Sequence, residues 1–174
     1  DLPFMTYQIS VEQALESAGR LVQEGGAAAV KLESCSERTI PMIRAIVDAG
    51  IPVMGHIGLV PQSVHALSGY RIQGRTEIDV ERLLELAKKI EEAGAFSLVL
   101  ELMPGEAAQR ITESLSIPTF GIGAGVNCSG QVLVFHDLLG LTEKPPRFAQ
   151  KFVDLRAGIL RGVRRYVRDV RERT

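Results

Sequence analysis

An α/β fold with parallel strands is predicted by two observations on this sequence. Short apolar segments of β type, each ending in glycine or a charged residue, alternate with longer segments of helical periodicity. Two strand–helix segments also repeat, since Gly26–Glu33 resembles Gly94–Glu101 and Ile51–Gly55 resembles Ile117–Gly121. Strands that alternate with helices pair in parallel through right-handed crossover connections.

The individual elements follow from apolar spacing and from the residues that cap helices. We predict strands at Ala28–Glu33, Val53–Ile57, Ser97–Glu101, Thr119–Ile122 and Val132–His136. We predict helices at Val11–Glu24, Ser36–Ala49, Gln62–Leu67, Val80–Ala93 and Glu106–Ser114. Ser10 and Gln13 form a candidate capping box before the first helix, and Gly50 and Gly94 are candidate helix C-caps.

The spacing of the repeats predicts the architecture. Their offsets are 68 and 66 residues, so one unit takes roughly 33 residues, which suits a (β/α)₈ barrel of about 250 residues. The 174 residues hold about five such units. We therefore expect one partial barrel domain over residues 1–174, with about two to three further units before Asp1. An open doubly wound sheet and a chance recurrence of glycine and proline positions are the alternatives.

Composition excludes several classes of protein. Apolar residues make up 45% of the chain and charged residues 24%, as in ordinary globular proteins. The net charge of −1 argues against a nucleic-acid-binding protein, and no apolar run reaches the roughly 18 residues of a membrane span. Cys35 and Cys128 are far apart and form no CxxC motif, which favours a reducing compartment, so we expect a cytoplasmic protein.

Charged side chains at the ends of predicted strands are the first candidate site. Lys31 and Glu33 are two residues apart on one strand, so they point to the same side of the sheet. In a barrel, strand C-termini form the active face, and a lysine and a carboxylate directed inward there need a ligand, a metal or a partner. The alternative is a Lys–Glu pair at a solvated strand end.

Two further carboxylates suggest a base and a cation site. Glu101 ends a strongly apolar strand, so partial desolvation makes it a candidate general base, although it could instead serve as a helix N-terminal carboxylate. Asp1 and Glu33 offer two hard oxygen ligands on neighbouring strand ends, a set that suits Mg²⁺ with several waters retained. The histidines His56, His65 and His136 lack metal-ligand spacing and are interpreted as structural or polar lining.

The C-terminal segment, residues 147–174, differs in charge from the rest of the chain. It carries nine basic and three acidic residues, a net charge of +6, so the remainder has −7. Apolar residues recur every three or four positions, which predicts an amphipathic helix with a basic outer face. We expect it to pack on the barrel or on a neighbouring subunit; binding to nucleic acid or an acidic surface is the alternative.

Several segments resemble one enzyme family, in order, from Asp1 to about Phe152. They are Asp1–Met5, Val30–Glu33, Ile51–Ser63, Gly69–Arg75, Leu98–Glu101, Ile117–Gly125 and Gly130–Asp137. On these motifs the chain is similar to the ketopantoate hydroxymethyltransferase (3-methyl-2-oxobutanoate hydroxymethyltransferase) family. The resemblance implies a (β/α)₈ barrel of the phosphoenolpyruvate/pyruvate type.

The resemblance also implies an activity and its residues. It implies transfer of a hydroxymethyl group from 5,10-methylenetetrahydrofolate to 3-methyl-2-oxobutanoate, through a Mg²⁺-stabilised enolate, to give 2-dehydropantoate for pantothenate synthesis. By motif, Asp1 becomes a Mg²⁺ and substrate contact, Lys31 a substrate contact, Glu33 a metal ligand and Glu101 the proton acceptor. A homo-oligomer, a decamer by resemblance, is implied, with small-molecule substrates and neither nucleic acid nor membrane as partner.

The sequence departs from the family in two places. Ser34 and Cys35 follow the Val30–Glu33 block where the family often has two glycines, a change that alters the loop rather than the ligands. The family's early strands, with a further Asp ligand and a substrate-contacting Ser, have no counterpart in the sequence. Two alternatives therefore remain: another C–C lyase of the superfamily acting on a 2-oxo acid without folate, or an inactive fragment or scaffold subunit.

Overall fold

The computed structural model describes residues 1–66 and 69–174. Within these residues one parallel sheet has five strands, which lie side by side in chain order. They are β1 (Val30–Glu33), β2 (Val53–Gly58), β3 (Ser97–Glu101), β4 (Thr119–Ile122) and β5 (Gly130–Gln131). The predicted α/β fold with parallel strands is confirmed.

Helices connect the strands close to the predicted positions. They are α1 (Val11–Gln23), α2 (Ile40–Asp48), α3 (Glu77–Glu92) and α4 (Gly105–Ser114). Ser10 Oγ caps α1 by accepting the Gln13 N–H at 3.2 Å, while Gln13 Oε1 accepts from the Ile9 N–H. The predicted cap is thus confirmed, although the reciprocal bond goes to the residue before the N-cap.

Two predicted helices differ from the structure: one begins as a 3₁₀ turn, and the other is a 3₁₀ turn only. The segment predicted from Ser36 begins as a 3₁₀ turn at Glu37–Thr39 before α2. The helix predicted at Gln62–Leu67 is only a 3₁₀ turn at Pro61–Ser63, and its last predicted residue, Leu67, lies outside the described residues.

The hydrophobic core lies on one face of the sheet. Alternate strand residues such as Leu32, Ile57 and Leu100 are fully buried in a single cluster with apolar residues of α1 to α4, including Ile43 and Ile90. Burying each of these large side chains contributes about 1.5–3 kcal/mol. Because side chains alternate across a strand, the residues between them point to the opposite face.

The strand predicted at Val132–His136 is wrong. Pairing with β4 takes place at Gly130–Gln131. Directly before it, Ser129 and Thr119 each donate a backbone N–H to the side-chain hydroxyl of the other, at 3.3 and 3.1 Å. The Val134 carbonyl then accepts from two following N–H groups, so the chain turns into the short helix α5 (Phe135–Leu138). Local hydrogen bonding thus prevails over the continuous apolar character of this segment.

Residues 1–131 form one compact unit and residues 132–174 a second. In the second, the predicted amphipathic helix is α6 (Leu155–Glu172), which starts where Asp154 accepts the Ala157 N–H at 3.0 Å. No residue of α6 is buried. Among the described residues, no helix combines the length and apolar character needed to cross a bilayer.

Candidate active site

Strand β1 carries two of the predicted site residues on the face opposite the core. Lys31 and Glu33 alternate with the fully buried Leu32. The Leu2 N–H donates to the Lys31 carbonyl at 3.0 Å, so the segment at the start of the chain lies beside the free edge of β1. This backbone contact brings Asp1 Oδ2 to 2.8 Å from Lys31 Nζ.

Glu33 is held by a network that the sequence did not predict. Its side chain is buried, and Oε2 accepts the Gln62 N–H at 2.9 Å. The Gln62 side chain donates to the Leu2 carbonyl at 2.8 Å. The Tyr7 hydroxyl lies 3.1 Å from the Glu33 carbonyl and 3.2 Å from Gln62 Oε1, and its single proton serves one of them at a time. These contacts fix Glu33 on its strand.

The environment of Tyr7 suppresses ionisation of its phenol. Its ring is buried, and burial together with the negative charge of Glu33 raises the pKa of Tyr7 to about 12, against a smaller lowering by the hydrogen bond to the Glu33 backbone. Tyr7 is therefore a neutral structural donor at physiological pH.

The side chain of His56, on β2, approaches Lys31 of β1 and Glu101 of β3. The parallel register places it opposite Glu33, and its side chain is only 3% exposed. Its Nδ1 lies 3.4 Å from Lys31 Nζ, and its Nε2 lies 3.1 Å from Glu101 Oε2. The Nε2–Oε2 approach is short in distance but not aligned as a hydrogen bond, so Nε2 has no hydrogen-bond partner in the described residues.

Glu101 is the last residue of β3, and Gly58 at the end of β2 packs closely against its backbone carbonyl. Gly58 has a φ of 94°, and a Cβ at that position would overlap the Glu101 carbonyl oxygen. The same carbonyl accepts the Leu59 N–H at 2.8 Å. Leu102 then adopts a left-handed φ of 48°, which costs about 1–2 kcal/mol for a residue with a side chain. The Glu101 side chain is 15% exposed.

Lys31 is the cation of this cluster. Its side chain is 25% exposed. Burial lowers the pKa of Lys31 from its usual value, and the negative charges of Glu33 and Glu101 oppose that shift. Both carboxylates are therefore close enough to act on the ammonium group, which pairs directly with Asp1.

The structure thus brings together Asp1, Lys31, His56 and Glu101 in one line of contacts across β1 to β3. It does not join the two predicted metal ligands directly, because Asp1 contacts Lys31 and Glu33 contacts Gln62. Among the described residues there is no group of three or more His, Cys, Asp and Glu side chains poised to hold a metal ion.

By ligand type alone, Asp1 and Glu33 fit magnesium. Asp1 and Glu33 offer hard carboxylate oxygens, and Mg²⁺ in enzymes is commonly held by one or two carboxylates together with substrate and waters.

The other two histidines are not part of this site. His65 and His136 are exposed, so neither lies in this buried cluster.

Tyr7 and Gln62 carried no recognised signal in the sequence, and His56 was interpreted only as structural or polar lining. The partners of Tyr7 are 26 and 55 residues away, so the contacts depend on the tertiary fold. The same holds for Gln62. His56 could have been found by aligning the predicted parallel strands, because it occupies the same level as Glu33 on the neighbouring strand.

Comparison with protein families gives one match over the whole chain. The family described as ketopantoate hydroxymethyltransferase matches residues 1–174. The 3-methyl-2-oxobutanoate hydroxymethyltransferase of Pelobacter propionicus is 54% identical over 172 residues, covering 98% of this chain and 63% of that protein. The enzyme of the same name from Clostridium novyi is 51% identical over 175 residues, covering 100% of this chain and 63% of that protein. The chain therefore spans less than two thirds of the length of these relatives.

Solved structures with a similar backbone have low sequence identity. A protein of Burkholderia cenocepacia described as a lyase/mutase has a TM-score of 0.54 and 17% identity, over 98% of this chain and 60% of its own. The N-acetylneuraminate lyase of Mycoplasma synoviae has a TM-score of 0.52 and 14% identity, over 75% of this chain and 53% of its own. These similarities concern the α/β fold alone.

Proposed function

Because this chain belongs to the ketopantoate hydroxymethyltransferase family, we propose that it transfers a hydroxymethyl group from 5,10-methylenetetrahydrofolate to 3-methyl-2-oxobutanoate, forming 2-dehydropantoate for pantothenate synthesis. The observation that carries the proposal is the placement of His56 between Glu101 and Lys31 on one face of β1 to β3. Such a cluster combines a carboxylate base with a cation, which are the two groups needed to form an enolate from a keto acid.

A (β/α)₈ barrel is the architecture that best explains the two faces of the sheet. The helices cover one face with a continuous apolar core, while Lys31, His56 and Glu101 project from the other. A doubly wound sheet carries helices on both faces. In a barrel the second face is the interior, and the strand C-termini form the active end.

Glu101 is proposed as the base that removes the proton from C3 of the substrate. Its Oε2 faces His56 at 3.1 Å, and its side chain remains partly accessible. Lys31 is proposed to contact the substrate, because its ammonium group adds positive charge beside an oxygen that becomes negative when the proton leaves. The resulting enolate forms a bond to the one-carbon unit of 5,10-methylenetetrahydrofolate. One water supplies the hydroxyl group, the carbon–nitrogen bonds to the folate break, and tetrahydrofolate leaves.

Asp1 and Glu33 are proposed to hold Mg²⁺, with Asp1 also contacting the substrate. A divalent cation bound there would draw electron density from the keto oxygen and so acidify the hydrogen at C3. Glu33 is prepared for this role, because the Gln62 N–H fixes one carboxylate oxygen and thereby orients the other. Asp1 is held beside β1 through the Leu2 backbone bond to Lys31.

We propose a homo-oligomer, a decamer by family, acting in the cytoplasm on small molecules. The wholly unburied helix α6 supports association, since Ile159, Val163 and Val167 are exposed along it. Free Cys35 and Cys128 support a reducing compartment.

The direct test is a product assay on the natural polypeptide that contains this chain. With Mg²⁺, 3-methyl-2-oxobutanoate and labelled 5,10-methylenetetrahydrofolate, we expect labelled 2-dehydropantoate. Product that forms at the same rate without the folate, or cleavage of a 2-oxo acid in its place, would point to a lyase and reject the proposal.

A further inference from the structure

His56 lies between the proposed base and the proposed substrate-binding lysine, and neither role uses it. Its imidazole is almost fully buried, with Nδ1 3.4 Å from Lys31 Nζ and Nε2 3.1 Å from Glu101 Oε2. A histidine that served packing alone would have both nitrogens satisfied, because unpaired buried polar atoms are rare. Among the described residues its Nε2 has no hydrogen-bond partner, which points to a role beyond packing.

The contact with Lys31 decides which nitrogen carries the proton. An ammonium group has only donors, and the 2.8 Å contact with Asp1 places Lys31 in a charge pair. Nδ1 must therefore accept, because an imidazolium or an Nδ1–H imidazole would direct N–H against the ammonium. A neutral imidazole has a single N–H, so the proton lies on Nε2 and faces Glu101.

An acceptor for the N–H on Nε2 lies within reach. Glu101 Oε2 is already within hydrogen-bond distance, and the carboxylate of a glutamate rotates through a broad torsional range. Catalytic hydrogen bonds in substrate-free structures are often misaligned and tighten only when the substrate binds.

We propose that His56, as the Nε2–H tautomer, is a positioning residue that holds Oε2 of Glu101, so that the other carboxylate oxygen is presented to the proton at C3. The inference rests on the proposed function of Glu101 as base. Lys31 fixes the tautomer from the far side of the ring, so one line of contacts connects substrate binding to the orientation of the base.

Nitrogen-15 NMR of the natural polypeptide, labelled at histidine and without substrate, tests the tautomer independently of activity. The His56 signals are assigned as those missing from His56→Gln. We expect one protonated nitrogen at Nε2 and one unprotonated nitrogen at Nδ1. An Nδ1–H tautomer or an imidazolium would overturn the inference, and neither result depends on whether the proposed reaction is correct.

Two variants then test positioning. In His56→Gln the side-chain amide can place an N–H near the position of the Nε2–H group, so it can donate to Glu101. The leucine of His56→Leu has no donor. We expect His56→Leu to lower kcat about 100-fold with KM for the keto acid nearly unchanged, and His56→Gln to recover at least tenfold of that loss. Equal losses in both variants, a change in KM alone, or no loss in His56→Leu would each reject positioning.

Circular dichroism and thermal unfolding of both variants check that they fold. If His56→Leu does not fold, the comparison of His56→Gln with wild type decides: we expect kcat within about tenfold of wild type, and a larger loss rejects positioning. Failure of the wild type itself to transfer the hydroxymethyl group rejects the proposed function, and the NMR result still reports on the tautomer.

Discussion

Replacing Gly58 by alanine tests whether the close pass of β2 positions Glu101. Gly58 has a φ of 94°, and an added Cβ would overlap the Glu101 carbonyl oxygen and lie 2.8 Å from Met103 Cε. The overlap with the Glu101 carbonyl oxygen can be relieved only by moving backbone, whereas the flexible end of the Met103 side chain can shift. The substitution therefore combines backbone strain with overlap at the proposed base.

Backbone strain and steric overlap each lower the stability of Gly58→Ala. A side chain at positive φ costs about 1–2 kcal/mol, and inserting an extra carbon into a filled site costs about 1–3 kcal/mol more. We expect Gly58→Ala to lower the free energy of unfolding by about 2–5 kcal/mol in total. Because β3 must move to relieve the overlap, the misplacement of Glu101 is expected to lower kcat about 100-fold.

Gly50→Ala is the matched control. Gly50 follows α2 with a φ of 84°, and no atom lies within 4 Å of a Cβ built there. It should lose only the strain contribution of about 1–2 kcal/mol and keep its kcat. Urea unfolding and the hydroxymethyl-transfer assay measure both quantities in the natural polypeptide. Equal stability losses with unchanged kcat in both variants would refute the reasoning.

Three further predictions concern pH, the lysine and the cation. The folded state keeps the Tyr7 proton up to a pKa of about 12, whereas the unfolded chain releases it near pH 10, so stability falls between those values by up to about 2–3 kcal/mol. In urea unfolding across this range, Tyr7→Phe should lack that loss; an equal loss in the variant would contradict the assignment. Lys31→Met should raise KM for 3-methyl-2-oxobutanoate about 30–100-fold in steady-state kinetics, the value of a charge-assisted hydrogen bond. Lys88→Met, at an exposed position of α3, should leave KM unchanged, and equal KM values in the two variants would exclude Lys31 from substrate binding. Chelation of divalent cations should abolish transfer and added Mg²⁺ should restore it; activity that persists in excess chelator would exclude a metal role for Asp1 and Glu33.

Local patterns in the sequence predict much of the fold. Apolar strand segments and glycine caps place four of the five strands within two residues of their observed ends, because these signals act over a few neighbouring residues. The common face of Lys31 and Glu33 follows from the two-residue period of a strand. The strand predicted at Val132–His136 was wrong, because hydrogen bonds between Ser129 and Thr119 set the pairing earlier.

The contacts within the site depend on register and on distant segments, which no local pattern encodes. His56 reaches both Lys31 and Glu101 only because β2 lies between β1 and β3 at the observed register. Gln62 comes to Glu33 through the turn after β2, across 29 residues of chain. The roles of Asp1, Lys31, Glu33 and Glu101 remain predictions. The family supports all four, and the contacts across β1 to β3 support Asp1, Lys31 and Glu101.

Deuterium exchange at C3 of 3-methyl-2-oxobutanoate tests the role of Glu101 as base most directly. In D₂O with Mg²⁺ and without folate, the natural polypeptide is expected to exchange this hydrogen. Glu101→Gln should bind the keto acid but exchange at least about 100-fold more slowly, whereas Glu106→Gln, at an exposed position of α4, should exchange like the wild type. Exchange at the wild-type rate in Glu101→Gln would contradict the account.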